Sequence, residues 1–591
     1  MSSNPVVPAA APEGRWWPAI LGLLVLMGGL FFFRLGDDMA LQSHEALLAE
    51  TSRNMYIDRP AVVDDGSRPS PWLVPNFGDS PRLRKTPLPY WTVACLAHLT
   101  GGVDEWTARF PSAVAALGTV LLILLLVRRW TDRPTALLAG LALATSVGFA
   151  MIARQALSDM PMTFYSTAAL AALWVAVETR GPRRFVWLVV SGAIGGLAML
   201  AKGPAPLLVF WGPSLAAIFL MIAPLVKPRR PGEGGRKEWF WCLAGIVAAC
   251  VVALAIMLPW PIYVLLQVSE AIEIWRMESV GRSLGEYGHT KGESVFFYLT
   301  RLPVLLAPWI IFFVYGVALG VKRLRQVATD RPWLIFLASW LVPTLVSFSL
   351  AAGKQDHYIL PFLPAAAVLT GMAMRRMLPG DAPAEPQRDR WLLPLHAILS
   401  IVMGAGAVIV YAVWRVRPSA FEGIKAVAPF ATPEILGPVL VVGLVGIVAG
   451  LAAWVLARRR PGLGLTTLAA AFAGVFLIGW CLLFAPTDRS LPAKQYSTDV
   501  CRKVPADAPL YAFISPNNAV RFYVARPMPS LLEAKDVNAL IASGRPFYLI
   551  VTARYMPGLR EVRGLTTVIN TLDPYRKDEG FLLLQYGGAG K

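Results

Sequence analysis

VAALGTVLLILLLVRR, from Val114 to Arg129, decides the fold. It is an apolar run with no charge until its closing pair of arginines. Such runs, at roughly 20 residues, cross a hydrocarbon core of about 30 Å. Every backbone polar group in that core must be paired internally, so the run reads as a helix. The pattern recurs along the chain, giving about thirteen spans with centres from Val25 to Ala473. The first run, Trp16 to Leu35, lies behind a tail with one arginine. It is long and no small-residue cleavage site follows, so it reads as a membrane helix rather than a signal peptide. With 56% hydrophobic and 16% charged residues among 591, the chain is not a soluble protein.

The net charge of +18 would suggest nucleic acid in a soluble chain. Here much of the excess sits in short loops between apolar runs. Under the thirteen-span reading, Arg128-Arg129, Arg183-Arg184, Lys227 with Arg229-Arg230, Lys322-Arg323, Arg375-Arg376 and Arg458 to Arg460 all fall on the N-terminal side. The positive-inside rule makes that side cytoplasmic and sends the C-terminus outside. Nucleic acid is therefore not an expected partner; membrane lipids are. Among five cysteines, Cys95, Cys242, Cys250 and Cys481 lie in or beside apolar runs, and Cys501 has no obvious mate. The spacing gives neither a disulfide framework nor a zinc site.

Three outer segments are long: 36–90, 267–293 and the tail from about Pro486. In the tail, Leu510–Ile514, Phe547–Val551 and Phe581–Leu584 read as buried strands, and Ser530–Ile541 as a helix. The expected organisation is an all-α polytopic membrane domain over 1–485 and a small C-terminal α/β periplasmic domain over 486–591.

Chemistry-bearing residues gather on the outer side. His44 and Glu45 open a stretch whose apolar spacing suits a helix lying flat on the membrane surface. An acid there is favoured by the helix dipole; alternatively both side chains project into a cavity and accept a proton. Arg82, Arg84 and Lys85 precede Pro87, Pro89, Tyr90 and Trp91. Cations on the outer face are disfavoured by orientation, so they suit an anion site, with Lys85 as a point charge for phosphate. Asp159 stands before Met160-Pro161 at the mouth of a span, either as a helix cap or as a site acid. Lys202 precedes Gly203-Pro204, either snorkelling or facing an anion. The second outer segment carries Trp275, Glu278, Arg282 and His289 and reads as a mobile lid bringing Arg282 or His289 to an anion. Last come Lys354, Asp356, His357 and Tyr358, where Tyr358 suits a phosphate oxygen with Lys354 beside it. No nucleotide-binding or paired metal motif stands in convincing context.

In order, these segments resemble the family 39 type of GT-C membrane glycosyltransferases. The nearest branch is the bacterial transferases that move 4-amino-4-deoxyarabinose from undecaprenyl phosphate to lipid A; protein O-mannosyltransferases are more distant. The family's first-loop acidic pair followed by Ala aligns with His44-Glu45-Ala46. Its Lys-Pro-Pro-Leu-x-Tyr-Trp stretch aligns with Lys85 to Trp91, and its Asp-Met-Pro with Asp159-Met160-Pro161. Its Thr-Lys-Gly-Pro aligns with Ala201 to Pro204, and its Ser-x-Lys-…-Tyr-x-Leu-Pro with Gly353-Lys354 through Pro361. The resemblance covers roughly the first 380 residues. It implies a fold of GT-C type with an outer C-terminal domain.

The resemblance also implies an inverting single displacement at the anomeric carbon of a polyprenyl-phosphate sugar, with a lipid or protein hydroxyl as acceptor. Lys85, Lys202, Arg282, Lys354 and Tyr358 would hold the donor phosphate, with Arg84, His289 and His357 as accessories. No cofactor is required; a divalent metal is compatible with the chemistry, and no motif supports one. The first member of the acidic pair is His44 here. Either His44 is the base, or Glu45 or Asp159 is, or activity is lost. The competing class is a polytopic lipid or solute transporter or flippase, expected to show internal repeats and midplane charges. Neither is evident.

Overall fold

The computed structural model describes residues 17–36, 39–63, 66–78, 80–226, 235–281, 293–378, 391–417, 433–479, 491–572 and 580–587. Among them, ten helices are long and apolar enough to cross a membrane, or twelve if two bent pairs each count as one crossing. One pair joins Arg133–Ala144 to Val147–Ala153 at 65°; the other joins Phe297–Leu305 to Ile310–Gln326 at 113°. The first apolar run forms a shorter helix, Trp17–Phe32. The expected count is reached only when the bent pairs and this short helix are included. The chain is a multi-pass membrane protein of mostly helical build.

The two bent pairs are stitched at their elbows. The Trp309 indole N–H donates to Thr145 Oγ1 at 2.8 Å, and the Val147 N–H donates to the Ala307 carbonyl at 2.9 Å. These bonds satisfy groups freed by the breaks, which a low-dielectric interior demands. Elsewhere small residues set the packing distance. A Cβ on Gly192 would lie 2.2 Å from the Ala249 carbonyl, so the Gly181–Lys202 and Arg236–Met257 helices touch backbone to backbone.

Charges divide the bundle by its ends. At one end Arg129 pairs with Glu178 at 2.6 Å, and Arg375 with Asp132 at 2.5 Å. These pairs join the ends of the Glu105–Trp130 and Asp159–Glu178 helices, and of Arg133–Ala144 and Leu363–Arg375. Asp159 and Tyr358 sit at the opposite ends of their spans. The segregation seen in the sequence is thus a spatial one.

The segment between the Ser43–Tyr56 and Leu88–Thr100 helices adds a hairpin of β1 (Asn76–Phe77) and β2 (Ser80–Pro81). The tail forms a five-stranded sheet. Its strands are β3 (Leu510–Phe513), β4 (Ser530–Leu531), β5 (Phe547–Thr552), β6 (Thr566–Asn570) and β7 (Phe581–Tyr586), in the order β4-β3-β5-β7-β6. β3 runs parallel to β4 and β5, and β7 antiparallel to β5 and β6. Three strands match the expected runs. The helix expected from Ser530 starts instead at Ala534, because Ser530–Leu531 pairs with β3 and Glu533 caps the helix reciprocally with Asp536.

A second correction concerns the Ser43–Tyr56 helix. Its one-sided apolar spacing suggested an interfacial helix. In the fold it is buried on most faces, including Glu45, Glu50, Thr51, Ser52 and Asn54. It packs against the Leu88–Thr100 and Asn518–Val524 helices. A short polar stripe cannot reveal, in sequence, that a distant segment covers it.

Candidate functional site

A cavity of about 520 Å³ opens where the loop before the Leu88–Thr100 helix meets the span ends near Lys202 and Tyr358. Arg84, Lys85, Thr86, Lys202, Gly203, Gly353 and Tyr358 line its polar side. Met257, Trp260, Pro261, Trp275 and Leu208 line its apolar side. Both indoles are fixed from behind. Trp260 Nε1 donates to the Leu73 carbonyl at 2.9 Å, and Trp275 Nε1 to the Leu83 carbonyl at 2.8 Å. Apolar surface and cations sharing one cavity suit a sugar phosphate.

Local backbone holds the cations in place. Lys202 ends its helix, and Gly203 follows at φ +60°, ψ −138°, a conformation glycine adopts readily. The Gly203 N–H donates to Thr86 Oγ1 at 3.2 Å, which ties this turn to the residue after Lys85. Lys202 Nζ pairs with Asp159 Oδ1 and lies 4.2 Å from the centroid of the Tyr358 ring. Lys85 Nζ pairs with Glu278 Oε1 at 2.8 Å; the lysine side chain is 34% exposed and the glutamate 12%.

Asp159 is buried behind Lys202. Its Oδ2 lies 3.8 Å from His357 Nε2, and the His357 ring stands edge-on to Tyr358 at 5.0 Å. His44 is exposed and lies within electrostatic reach of His357. Lys354 is buried beside Gly353, and its ammonium donates to the Glu293 carbonyl at 2.8 Å. Burial holds its pKa below the usual lysine value.

Glu45 does something else. Its carboxylate takes both Nε and Nη2 of Arg109, at 2.9 and 3.0 Å. It also accepts the N–H of Gln42 at 3.0 Å and of Ala156 at 2.9 Å. Arg109 further donates to the carbonyls of Leu35, Met39 and Ala40. Burial pushes the Glu45 carboxyl up, but Arg109 and the N–H donors hold it below the usual range. With these bonds made, the group is unsuited to taking a proton, and it does not line the cavity. It pins the loop that leads into Asp159.

The structure thus gathers Lys85, Lys202 and Tyr358 around one hollow, with Asp159 and His357 directly behind and Arg84 on the wall. Arg282 and His289 lie outside the described residues. Sequence reasoning missed Arg109, whose signal was a cation one turn into an apolar run, and gave Glu278 no role. Among the described residues, no group of three His, Cys, Asp or Glu gathers to hold a metal.

Residues 84–263 match the family model described as dolichyl-phosphate-mannose-protein mannosyltransferase. The chain is 29% identical over 494 residues to a Pseudomonas paraeruginosa protein named undecaprenyl phosphate-alpha-4-amino-4-deoxy-L-arabinose arabinosyl transferase, covering 82% of this chain and 77% of the relative. A Proteus mirabilis transferase of the same name, numbered 2, is 26% identical over 348 residues, covering 57% of this chain and 56% of that one. In fold the chain is similar to ArnT from Cupriavidus metallidurans bound to undecaprenyl phosphate. The TM-score is 0.73 at 19% identity, over 97% of this chain and 98% of that one. In sequence and in fold, the chain resembles the GT-C membrane glycosyltransferases of the family 39 type.

Proposed function

We propose that the chain is an inverting membrane glycosyltransferase that moves a sugar from a polyprenyl phosphate to an acceptor hydroxyl on a lipid or protein. The carrying observation is the cavity, which cations, Tyr358 and the fixed indoles of Trp260 and Trp275 line together at the end of the bundle opposite the paired arginines. Lys85, Lys202 and Tyr358 hold the donor phosphate, with Arg84 on the wall. The acceptor oxygen attacks the anomeric carbon as the bond to the phosphate oxygen breaks. The departing electron pair stays on the phosphate, where the cations stabilise the growing charge. The acceptor proton passes to the Asp159–His357 pair, the carboxylate orienting and stabilising the imidazole. In this reading Lys354 and Glu45 support the site without touching the donor.

In this reading the basic end of the bundle is cytoplasmic and residues 486–591 form a periplasmic domain over the 1–485 membrane part. Purified protein in detergent, given labelled polyprenyl-phosphate sugars and a lipid acceptor, releases free polyprenyl phosphate and a glycosylated product. Failure with every donor tried removes the reading. No specific observation favours a transporter.

The charge pattern also fits the donor named for the relatives. A 4-amino sugar phosphodiester is zwitterionic at neutral pH. It would replace the Lys85–Glu278 pair with two crossed pairs, phosphate on Lys85 and ammonium on Glu278. A neutral sugar brings no cation to Glu278. Glu278→Gln is therefore expected to raise the KM of the amino-sugar donor about tenfold and to leave its N-formyl analogue within about twofold. Equal changes for both donors would reject this role.

A further inference from the structure

The Asn518–Val524 helix of the tail grips the segment that opens the Ser43–Tyr56 helix. The Leu41 N–H donates to Tyr523 Oη at 2.8 Å, and Tyr523 Oη donates to Glu105 Oε1 at 2.9 Å. Asn518 Nδ2 donates to Ser43 Oγ at 2.8 Å and to the Ser43 carbonyl at 3.3 Å. Farther along, Arg53 Nη1 donates to the Phe522 carbonyl at 2.7 Å, and its guanidinium lies over the Phe522 ring. Lys494 closes the set by pairing with Glu105.

These bonds end on residues that flank the site. Leu41 and Ser43 bracket Gln42, whose N–H is held by Glu45. Glu45 holds the Ala156 N–H, three residues before Asp159. Asp159 in turn holds Lys202, which lies on Tyr358. Hydrogen bonds and an ion pair, joined by short stretches of backbone at Leu41–Gln42 and Ala156–Asp159, therefore lead from the Asn518–Val524 helix to the cavity wall. Displacing a reacting group by about 1 Å costs on the order of 100-fold in rate. Burial, then the Glu105 charge, pushes the Tyr523 hydroxyl up, so it stays protonated and keeps donating across the neutral range.

The structure assigns Tyr523 and Asn518 a positioning role: the C-terminal unit sets the placement of the Asp159 loop through Leu41, Ser43 and Glu45. This rests on the transferase reading above for its kinetic consequence. The bonds themselves do not depend on it, which separates the two in a test.

The test uses the full-length protein in detergent. In the Tyr523→Phe/Asn518→Ala double variant, kcat is expected to fall about tenfold while the donor KM stays within about twofold. Arg526→Ala is the comparison. It removes donors to the Pro505 and Ala508 carbonyls inside the C-terminal unit and touches no residue of the run. It is expected to lower the melting temperature at least as far as the double variant, with kcat per folded enzyme unchanged. Amide hydrogen exchange at residues 40–46 and 154–160 is expected to rise in the double variant alone, whether or not transfer occurs. Unchanged exchange at 154–160, or an equal kcat loss in Arg526→Ala, would overturn the assignment. Inactive wild-type protein with the exchange pattern intact would overturn the transferase reading and leave this one standing.

Discussion

Asp159→Asn is expected to reduce kcat by about 10³-fold or more, with the protein still folded in the membrane. Asparagine keeps the size of the side chain and one carbonyl oxygen. It removes the negative charge that faces Lys202 on one oxygen and His357 on the other. Lys202, a tenth exposed, then loses its counter-ion and turns from the cavity or holds donor phosphate too tightly. His357 loses the carboxylate that would stabilise it after it takes the acceptor proton. Both effects fall on transition-state charge, so kcat suffers more than donor binding. Single-turnover transfer at saturating donor, together with polyprenyl-phosphate binding, separates the two. A folded variant with more than a tenth of wild-type kcat would remove Asp159 from the proposed machinery.

How much of this was legible beforehand differs by feature. Span positions were, because runs such as Val114–Val127 admit one hydrogen-bonded solution in hydrocarbon. The end at which polar groups meet was too, because paired arginines mark the other end of the helices. The bends were not read from the apolar runs, and the bonds that hold them join Thr145 to Trp309 and Val147 to Ala307, far apart in the chain. Lys85, Lys202 and Tyr358 could be named from their motifs, but their partners could not. Glu278 lies 193 residues from Lys85, and Glu45 lies 64 from Arg109. One carboxylate faces a cavity and the other is consumed in a buried pair, a difference fixed by folding and absent from the local sequence. For the same reason the Ser43–Tyr56 helix read as a surface element: part of what buries it, the Asn518–Val524 helix, arrives from beyond residue 490.

Breaking the Glu45–Arg109 pair is expected to be the most destabilising single change at the cavity end of the bundle. Glu45→Ala and Arg109→Ala should each cost about 3–5 kcal/mol, because each leaves a buried charge without its partner. The loss extends past the pair. Glu45 serves the N–H groups of Gln42 and Ala156, and Arg109 serves the carbonyls of Leu35, Met39 and Ala40. Removing both side chains therefore does not restore stability as it would for a pair in an apolar core. The double variant should fall short of additivity by about 1–3 kcal/mol yet remain well below wild type. The pH dependence follows from the depressed Glu45 carboxyl. Its folded pKa lies below the ordinary 4.5, so its contribution is complete above that value and is lost as pH falls through the folded pKa. In Glu45→Gln this acid-side loss should shrink. Melting temperature followed by fluorescence across acidic to neutral pH checks both points. An Arg109→Ala variant as stable as wild type at neutral pH, or a Glu45→Gln variant with an unchanged acid limb, would show that the pair does not anchor the loop before Asp159.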